Sequence, residues 1–298
     1  MHARAVVTGG AGFIGSHLVD ELVHAGHAVR VIDNLSTGKR EQVNPRAELV
    51  MADVTDREAL AEYIGEGDLV FHLAGSISVP YSLKHPEETY RTNIGGTINV
   101  LSVAAGKRAA RVVFISSAAV YGDQEIPVKE TAPLAPLSPY GIEKVVGEQY
   151  CQLFSRIYNL STVAIRPFNV YGPRQSSQDG ALIPTLLGKS ARGEALSIVG
   201  SGEQLRDFVF VTDVARALLS VGVSEKRFTG DVFNVGSGVG TPVLAVAKMV
   251  GGTIEHLPAR TEIRDSVADV RALQGAVGWG AEVSLAEGLR LTQEAFSL

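Results

Sequence analysis

Short apolar runs and segments with helical spacing alternate through the first 167 residues of the chain. Residues 13–26 show the helical pattern, because Ile14, Leu18 and Leu22 recur on one face and Gly26 ends the segment. Such alternation predicts right-handed βαβ units and therefore an α/β fold with a doubly wound parallel sheet. Strands are expected at 3–8, 28–33, 47–53, 68–75, 110–117 and 160–167, and helices at 13–26, 56–64, 87–106 and after Pro139.

The pattern changes after residue 167, where Gly and Pro become frequent and the predicted elements become shorter. We interpret residues 1–167 as one domain and residues 168–298 as a smaller C-terminal region that lies over the carboxyl edge of the sheet. Ligands of open α/β sheets bind at this edge. Residues 208–221 are predicted to form a strand and a helix, a pair that is a candidate for returning to the first domain.

The composition is that of an ordinary globular protein: 45% of the 298 residues are hydrophobic, 20% are charged, and the formal net charge is -5. This charge argues against a general affinity for nucleic acid, and the histidines and cysteine do not show the spacing of a metal site. No run approaches the ~20 apolar residues of a membrane span, and no secretory signal pattern precedes the first strand. The single Cys151 excludes an internal disulfide and is expected to be buried on a helix, so we expect a cytoplasmic protein.

A glycine-rich turn lies between the first predicted strand and the first predicted helix. It contains Gly10-x-Gly12-x-x-Gly15 and, one residue earlier, Gly9-x-x-Gly12-x-x-Gly15. In this context the glycines let the backbone approach a pyrophosphate, which the helix N-terminus binds with its unpaired N–H groups. Glycines also serve ordinary turns. The strand–turn–helix context nevertheless favours a dinucleotide-binding domain of the Rossmann type, which would comprise residues 1–167.

Asp33 ends the second predicted strand, 18 residues after Gly15. A carboxylate there can accept hydrogen bonds from the adenosine ribose and would repel a 2′-phosphate, so NAD is favoured over NADP as the cofactor. Lys39 and Arg40 follow closely and would act in the opposite direction. Asp53, after the third strand, has two interpretations: a contact with the adenine amine, or the N-cap of the next helix.

The segment SPYGIEK, residues 138–144, places Tyr140 and Lys144 about one helical turn apart at a predicted helix start. A lysine ammonium next to a phenol stabilises the phenolate, so Lys144 would lower the pKa of Tyr140 and make it a usable acid/base. Such a pair also arises by chance, and the other motifs must decide between the two explanations.

Taken in order, the motifs resemble those of the extended short-chain dehydrogenase/reductase family, and within it the nucleotide-sugar epimerases of the UDP-galactose 4-epimerase type. The resemblance covers nearly the whole chain. It rests on TGGAGFIG (8–15), Asp33, HLAG (72–75), Asn93, SSAAVYG (116–122), YGIEK (140–144), RPFNVYGPR (166–174) and GSGEQLRDFVFVTDV (200–214).

The resemblance implies an NAD-dependent 4-epimerase that interconverts UDP-glucose and UDP-galactose by transient oxidation at C4. Tyr140 would take the proton of the sugar hydroxyl, Lys144 would hold the nicotinamide ribose, and Ser117 would hydrogen-bond the same sugar oxygen. Ser116 is the alternative to Ser117. The hydride would return to the other face of the ketone, so NAD would be regenerated in each cycle and stay tightly bound.

The resemblance also assigns cofactor contacts to the glycine turn and to the segments that follow the strands. The expected residues are Gly9, Gly12, Phe13, Ile14, Gly15, Asp33, Asn34, Ser36, Gly38, Asp53, Val54, Leu73, Ala74, Gly75, Asn93, Tyr140 and Lys144.

The UDP-sugar is expected to contact the smaller region as well. Asn169 and Arg206 match the pyrophosphate contacts of the family, and arginine suits bidentate pairing with phosphate. The alternative for Arg206 is an ion pair with Asp207 or Glu203. The stretch 258–273, which resembles a later phosphate-binding segment, is one residue shorter than the usual pattern. It therefore offers both Arg260 and Arg264 as phosphate ligands.

Ser266 matches a position in the wall of the sugar pocket. Family members restricted to plain hexoses have a bulky residue there, often Tyr, whereas those that also accept N-acetylhexosamines have a small one. The resemblance therefore implies that this chain also accepts the N-acetylated pair. The alternative is that Ser266 is a solvated loop residue. Residues 76–82, with their small hydroxyl side chains, suit a polar ligand without identifying the sugar.

Three classes of function compete: an epimerase, a lyase on the same scaffold, and a non-catalytic dinucleotide-binding sensor. Dehydratases of the family carry an Asp-Glu pair directly after the catalytic Ser/Thr, and decarboxylases carry a Glu at the second of these positions. Here Ala118 and Ala119 occupy both. A sensor would have no use for Ser117, Tyr140 and Lys144 together, so the epimerase is favoured. A homodimer through the helices near 87–106 and 140–158 is expected from the family.

Overall fold

A computed structural model describes residues 3–177, 180–259 and 263–296. The strands in this part of the chain are β1 (Ala5–Thr8), β2 (Val29–Asp33), β3 (Glu48–Met51), β4 (Leu69–His72), β5 (Arg111–Ile115), β6 (Thr162–Pro167), β7 (Asn169–Tyr171), β8 (Leu196–Val199), β9 (Leu205–Phe210), β10 (Thr229–Val235), β11 (Gly240–Pro242) and β12 (Ile254–Leu257). The helices are α1 (Phe13–His24), α2 (Arg57–Tyr63), α3 (Val79–Lys84), α4 (Pro86–Tyr90), α5 (Thr97–Gly106), α6 (Pro139–Tyr158), α7 (Leu182–Ala191), α8 (Val211–Val223), α9 (Val243–Val250), α10 (Arg271–Val277) and α11 (Leu285–Phe296).

The central element is a seven-stranded sheet with the order β10-β6-β5-β4-β1-β2-β3, in which every neighbouring pair is parallel. This confirms the doubly wound Rossmann sheet, and all six strands expected before residue 168 occur in it. The chain runs outward from β1 to β3 and then restarts on the other side with β4. The strand order therefore reverses between β1 and β4, and a crevice for ligands opens at such a point.

Helices cover both faces of the sheet and enclose two apolar layers. One layer packs α1, α8 and α10 against the sheet, with Leu18, Leu218 and Leu273 fully buried. The other layer packs α2, α5 and α6 against the opposite face. Cys151 lies in this second layer, as expected for a small buried residue.

The segment 87–106, expected as one helix, is divided. Helix α3 precedes it and ends at Lys84, because the backbone of His85, the residue before Pro86, is not helical. Helix α4 is followed by one π-helical segment, Arg91–Gly96, which leads into α5. The wider turn of a π-helix accommodates an extra residue, a local feature that helical periodicity does not reveal and that often occurs at functional sites.

Five short strands, β7, β8, β9, β11 and β12, form two small sheets beside the main one. The three-stranded sheet has the order β11-β9-β7 and the two-stranded sheet pairs β12 with β8. They share a separate apolar core with α7, α9 and α11. The chain returns to the main sheet through α8, which packs against α1, and through β10, which pairs with β6. The sequence did not predict β10 as a strand of this sheet.

No helix in the described ranges has both the length and the apolar character that a membrane crossing requires.

Candidate active site

Tyr140 and Lys144 lie in the first turns of α6. The hydroxyl of Ser138 caps this helix by accepting the N–H of Gly141 at 3.1 Å, and Pro139 occupies the first helical position. Lys144 is buried, and its Nζ donates to the carbonyl of Ile115 at the end of β5 at 2.8 Å. The same Nζ lies 5.7 Å from the centroid of the Tyr140 ring. The structure thus brings the two residues together at the carboxyl edge of the sheet.

Burial changes the pKa of both side chains. It lowers the pKa of Lys144 to about 8, against the opposing effect of the Glu143 and Glu148 carboxylates. It raises the pKa of Tyr140, although a hydrogen bond with Ser117 acts in the opposite direction. The net shift of the Tyr140 pKa is thus opposite to the expected one, because desolvation of the phenolate is its largest cause.

Ser116 and Ser117 follow β5 but have different partners. Ser116 is buried and donates its hydroxyl to Oε1 of Glu148 at 2.5 Å. Ser117 is half-buried; its hydroxyl accepts the N–H of Ala119 at 3.1 Å and lies close enough to Tyr140 to lower the pKa of the phenol. Ser117, rather than Ser116, is therefore the serine whose hydroxyl faces the phenol. Ala118 and Ala119 continue the chain in a short 3₁₀ turn and bring no carboxylate to this position.

Glu148 and Arg166 form a buried ion pair behind the two serines. Arg166 donates from Nε and Nη2 to the two carboxylate oxygens, at 2.7 and 2.6 Å. Its Nη1 donates to the hydroxyl of Tyr121 at 2.7 Å, and Tyr121 donates to Asn234 of β10 at 2.6 Å. This network joins α6, β6 and β10 under the site, and sequence analysis did not identify it.

The glycine turn packs tightly at the switch between β1 and β4. Gly9 has a positive φ of 71°, and a Cβ there would lie 2.6 Å from the amide nitrogen of Ala74. A Cβ on Gly15 would lie 2.1 Å from the carbonyl oxygen of Gly9. At Gly12, the N-cap of α1, an added Cβ would meet only that carbonyl, at 3.3 Å. A side chain is therefore excluded at Gly9 and Gly15, whereas at Gly12 a Cβ would make one tight contact.

Asp33 is buried at the end of β2 and organises the neighbouring turns. Its Oδ2 accepts the N–H of Ala11 at 2.9 Å, and its Oδ1 accepts the N–H of Leu35 at 2.8 Å. Lys39 and Arg40 lie exposed beyond this turn. The carboxylate is therefore placed against the glycine turn, where an adenosine ribose is expected.

Asp53 does not cap the next helix, so that interpretation is wrong. The N-cap of α2 is Asp56, whose carboxylate accepts the N–H of Ala59. Asp53 instead accepts the N–H and the hydroxyl of Thr55, and the side-chain amide of Asn34 at 2.7 Å. These hydrogen bonds outweigh the effect of burial and lower the pKa of Asp53.

The other residues expected to contact the cofactor surround the same crevice. Phe13 and Ile14 form the first turn of α1, Gly38 packs against Ala11, and Val54 packs against Gly96. Ser36 donates its N–H to the side chain of Asn34. The segment after β4 adds Leu73, Ala74 and Gly75, and a Cβ on Gly75 would lie 2.8 Å from Oδ1 of Asn93 and 3.9 Å from Nζ of Lys144.

Asn93 lies in the π-helical segment and is buried. Its side-chain amide pairs with both backbone polar atoms of Ser76 and with Glu143. Its backbone carbonyl accepts the hydroxyl of Thr97 at 2.6 Å. The sequence motifs did not single out Glu143, although its position three residues after Tyr140 places it on the same face of α6.

The residues expected to bind the diphosphate lie in the smaller region. Asn169 begins β7 and is exposed. Arg206 donates to the backbone carbonyls of Leu205, Ile263 and Arg264 at 2.8–2.9 Å. The side chain of Arg264 is 89% exposed, with its Nε 3.7 Å from the carboxylate of Asp265. Arg260 lies outside the described residues.

Asp207 is not the partner of Arg206, because its buried carboxylate accepts four other hydrogen bonds. The donors are the N–H and the hydroxyl of Ser237 and the N–H groups of Gly238 and Ala268. This anchors the segment 266–268 beside β9.

Ser266 is half-buried rather than a solvated loop residue. Its N–H donates to Leu205 and its carbonyl accepts the N–H of Asp207, so the backbone pairs with β9 opposite Arg206.

Comparison with known proteins agrees with this arrangement. Residues 5–236 match the NAD dependent epimerase/dehydratase family. A putative UDP-glucose 4-epimerase of Methanocaldococcus jannaschii is 37% identical over 297 residues, which cover 96% of this chain and 95% of that protein. The UDP-glucose 4-epimerase of Mycolicibacterium smegmatis is 37% identical and covers 98% of both chains. UDP-glucuronic acid decarboxylase 1 of Xenopus tropicalis is 33% identical, over 97% of this chain and 71% of its own.

Solved structures show the same fold over nearly the whole chain. UDP-glucose 4-epimerase of Thermotoga maritima, solved with UDP-glucose, has a TM-score of 0.92 and 36% identity, covering 99% of this chain and 98% of its own. UDP-N-acetylglucosamine 4-epimerase of Methanobrevibacter ruminantium has a TM-score of 0.94 and 34% identity, covering 100% and 99%. UDP-glucose 4-epimerase of Thermus thermophilus, solved with NAD, has a TM-score of 0.89 and 33% identity, covering 99% of each chain.

The resemblance noted in the sequence is thus confirmed. The chain belongs to the NAD dependent epimerase/dehydratase family and is an extended short-chain dehydrogenase/reductase of the nucleotide-sugar epimerase type, with NAD as its cofactor.

Proposed function

We propose that the protein is a 4-epimerase that interconverts UDP-glucose and UDP-galactose, and also their N-acetylated counterparts. One observation carries the proposal: Ser117, Tyr140 and Lys144 meet at the carboxyl edge of the sheet, and the two residues after Ser117 are alanines. The first feature supports proton exchange at a hydroxyl. The second removes the acidic groups that elimination or decarboxylation would require on this scaffold.

In this proposal Tyr140 exchanges the proton of the C4 hydroxyl, and Ser117 holds the phenol and the same sugar oxygen by hydrogen bonds. In the oxidation step the Tyr140 phenolate would take the proton of the C4 hydroxyl, and in the return step the phenol would give it back to the C4 oxygen. Lys144, held by the carbonyl of Ile115, supplies the positive charge that would stabilise the phenolate.

The residues around the glycine turn suit NAD. Gly12 brings no side chain to the N-terminus of α1, no acidic side chain lies in the first turn of that helix, and Asp33 lies against the turn. When bound, NAD accepts the hydrogen of C4 with its electron pair and returns it. The protein's task is to hold the sugar so that either face of C4 can be presented.

Arg206, Asn169 and one of Arg260 and Arg264 would bind the diphosphate. The Arg206 guanidinium donates to three backbone carbonyls, which orient it beside the segment 263–268. Arg264, on the neighbouring segment 263–268, adds a second, exposed cation. The small side chain of Ser266, opposite Arg206, leaves room for an acetamido group on the sugar.

The competing function is decarboxylation of a UDP-uronate, because curated decarboxylases are similar to this chain at 33–35% identity. Dehydration and ligand sensing are further alternatives. To decide among them, the purified protein is incubated separately with UDP-glucose, UDP-N-acetylglucosamine and UDP-glucuronate, and the products are followed by proton NMR. The proposal expects galacto products of unchanged mass from the first two. Carbon dioxide from the third, with the first two unchanged, would establish the decarboxylase instead.

We also propose that the protein is a cytosolic homodimer that pairs through the helices of 87–106 and 140–158. These helices expose Tyr90, Ile142, Ile157 and Tyr158, apolar side chains of the kind found at interfaces. Light scattering after size-exclusion chromatography should give twice the mass of the 31.5 kDa chain. A mass of one chain at micromolar concentration would contradict the dimer.

A further inference from the structure

Glu143 is a buried carboxylate on the catalytic face of α6 with no role in the mechanism above. It lies between the two reactive side chains in sequence, three residues after Tyr140 and one before Lys144. Its Oε2 accepts a hydrogen bond from Nδ2 of Asn93 at 2.5 Å, and its Oε1 accepts one from the hydroxyl of Thr89 at 2.6 Å. Both donors belong to α4 and the π-helical segment, which Glu143 thus fastens to the catalytic helix.

The side chain of Asn93 holds the chain immediately after β4. Its Oδ1 accepts the N–H of Ser76 at 2.7 Å, and its Nδ2 donates to the carbonyl of Ser76 at 2.9 Å. Both hydrogens of Nδ2 are therefore engaged, one by Ser76 and one by Glu143. An ionised carboxylate only accepts hydrogen bonds, so it pairs with the nitrogen of the amide and turns Oδ1 toward the N–H of Ser76.

The segment that begins at Ser76 borders the reactive groups at two points. The preceding residue, Gly75, approaches Nζ of Lys144, to which an added Cβ would be 3.9 Å distant. At the far end, the hydroxyl of Ser82 accepts the N–H of Tyr140 at 3.3 Å. A shift of this segment would therefore change the space beside both residues.

We propose that Glu143 is a positioning residue: it sets the orientation of the Asn93 amide and thereby fixes the Ser76 backbone beside the catalytic face of α6. The inference rests on the proposed function only in treating residues 76–82 as a wall of the sugar site. The hydrogen-bond relay from Glu143 through Asn93 to Ser76 holds whatever the reaction is.

The test measures amide hydrogen exchange of the segment 73–82 in the purified protein with its bound cofactor. Glu143→Ala should speed exchange of the Ser76 N–H by about tenfold, the expected effect of losing a hydrogen bond, although Glu143 does not contact Ser76. Thr89→Val is the matched control, because it removes the other donor to Glu143 and leaves the relay intact. It should leave the exchange of Ser76 unchanged.

Glu143→Gln tests the geometry of the relay without the charge. The glutamine oxygen can accept from Asn93 while its amide donates to Thr89, whose hydroxyl then turns to the carbonyl of Pro86, 3.2 Å away. This variant should keep Ser76 protected and retain most of the turnover. Glu143→Ala should lower kcat by about tenfold with little change in KM for the sugar, because a misplaced wall affects the reacting geometry. If Glu143→Ala does not fold, Glu143→Leu replaces it.

A double-mutant cycle decides whether Glu143 acts through Asn93. If it does, the Ser76 N–H should exchange no faster in the double variant Glu143→Ala/Asn93→Ala than in Asn93→Ala alone. Additive effects, unchanged exchange in Glu143→Ala, or equal acceleration in Thr89→Val would overturn the relay. Exchange requires no turnover, so a wild-type protein that converts no UDP-sugar would refute the proposed function while leaving this test decisive.

Discussion

The carboxyl edge of the main sheet and the smaller C-terminal region hold their charged groups in different ways. Behind Tyr140, Arg166 and Glu148 are buried, and both oxygens of the carboxylate are paired with the guanidinium. In the smaller region, Arg264 is 89% exposed and Arg206 rests on backbone carbonyls. A buried pair is costly to break, whereas an exposed cation can be replaced with little effect on stability.

This difference separates chemistry from selectivity. The groups expected to move protons are fixed by partners from α6, β5 and β6, so substitution there should damage the whole enzyme. Among the groups expected to contact the diphosphate and the sugar, Arg264 and Ser266 lie on one segment, 263–268, and Arg206 donates to its backbone carbonyls. Changes there should alter which nucleotide sugar is bound while the main sheet stays intact.

The largest effect should follow from Tyr140→Phe, which keeps the ring and removes the titratable hydroxyl. We expect epimerisation to fall by about 10²- to 10⁴-fold, the usual contribution of a general acid–base group. NAD should remain bound, because the glycine turn is untouched. Initial rates with UDP-galactose, together with the NAD released by acid, measure both parts. Near-normal turnover would remove Tyr140 from the mechanism.

Arg166→Met tests how much the buried ion pair with Glu148 contributes to stability. It leaves the Glu148 carboxylate buried without its cation, and we expect a loss of about 3–5 kcal/mol in the free energy of unfolding. The exposed counterpart, Arg264→Met, should leave the denaturant midpoint nearly unchanged. Replacing Glu148 by Met as well should recover part of the loss. Equal destabilisation by the two single variants would show that burial does not distinguish the regions.

Asp33→Ala should weaken NAD binding by about 10- to 100-fold, as expected when hydrogen bonds to a charged acceptor are lost. It should also reduce the preference over NADP, because the carboxylate no longer repels a 2′-phosphate beside Lys39 and Arg40. Titration of the cofactor-free protein with each dinucleotide gives both values, with exposed Glu41→Ala as the control. Wild-type protein that releases mainly NADP would contradict the assignment of Asp33.

The smallest and most selective effect should come from Ser266→Tyr. A phenol ring opposite Arg206 would occupy the space proposed for the acetamido group, so activity on UDP-N-acetylglucosamine should fall by about tenfold or more. Activity on UDP-glucose should change little, because the ring does not displace a plain hydroxyl. Competing assays with the two substrates measure the ratio. Equal loss on both, or no wild-type activity on the N-acetylated sugar, would show that Ser266 is not the pocket wall.

Local patterns in the sequence predicted the strands before residue 168, the glycine turn and the pair of Tyr140 and Lys144. These depend on periodicity and on residues close together in the chain. The pairing of β10 with β6 was not predicted, because it joins strands more than 60 residues apart through contacts that no local pattern contains.

The sequence predicted which residues lie at the site better than it predicted their pKa values. Spacing placed Lys144 beside Tyr140, but the net rise in the pKa of Tyr140 comes from burial, which depends on packing by other segments. Glu143 shows a different limit. Its spacing was visible, yet its partners lie about 50 residues away in the chain, Thr89 in α4 and Asn93 in the π-helical segment.

The place of β10 in the main sheet has a consequence for how the protein is made. Six strands of the sheet leave the ribosome by residue 167, but the seventh follows only after the small strands β7 to β9 have been synthesised. Until then β6 is an uncovered edge, and Tyr121 lacks Asn234, its acceptor on β10. The edge of β6 therefore stays unpaired in the nascent chain while about 60 further residues are synthesised. A fragment that ends at residue 167 should aggregate rather than fold as a separate dinucleotide-binding domain.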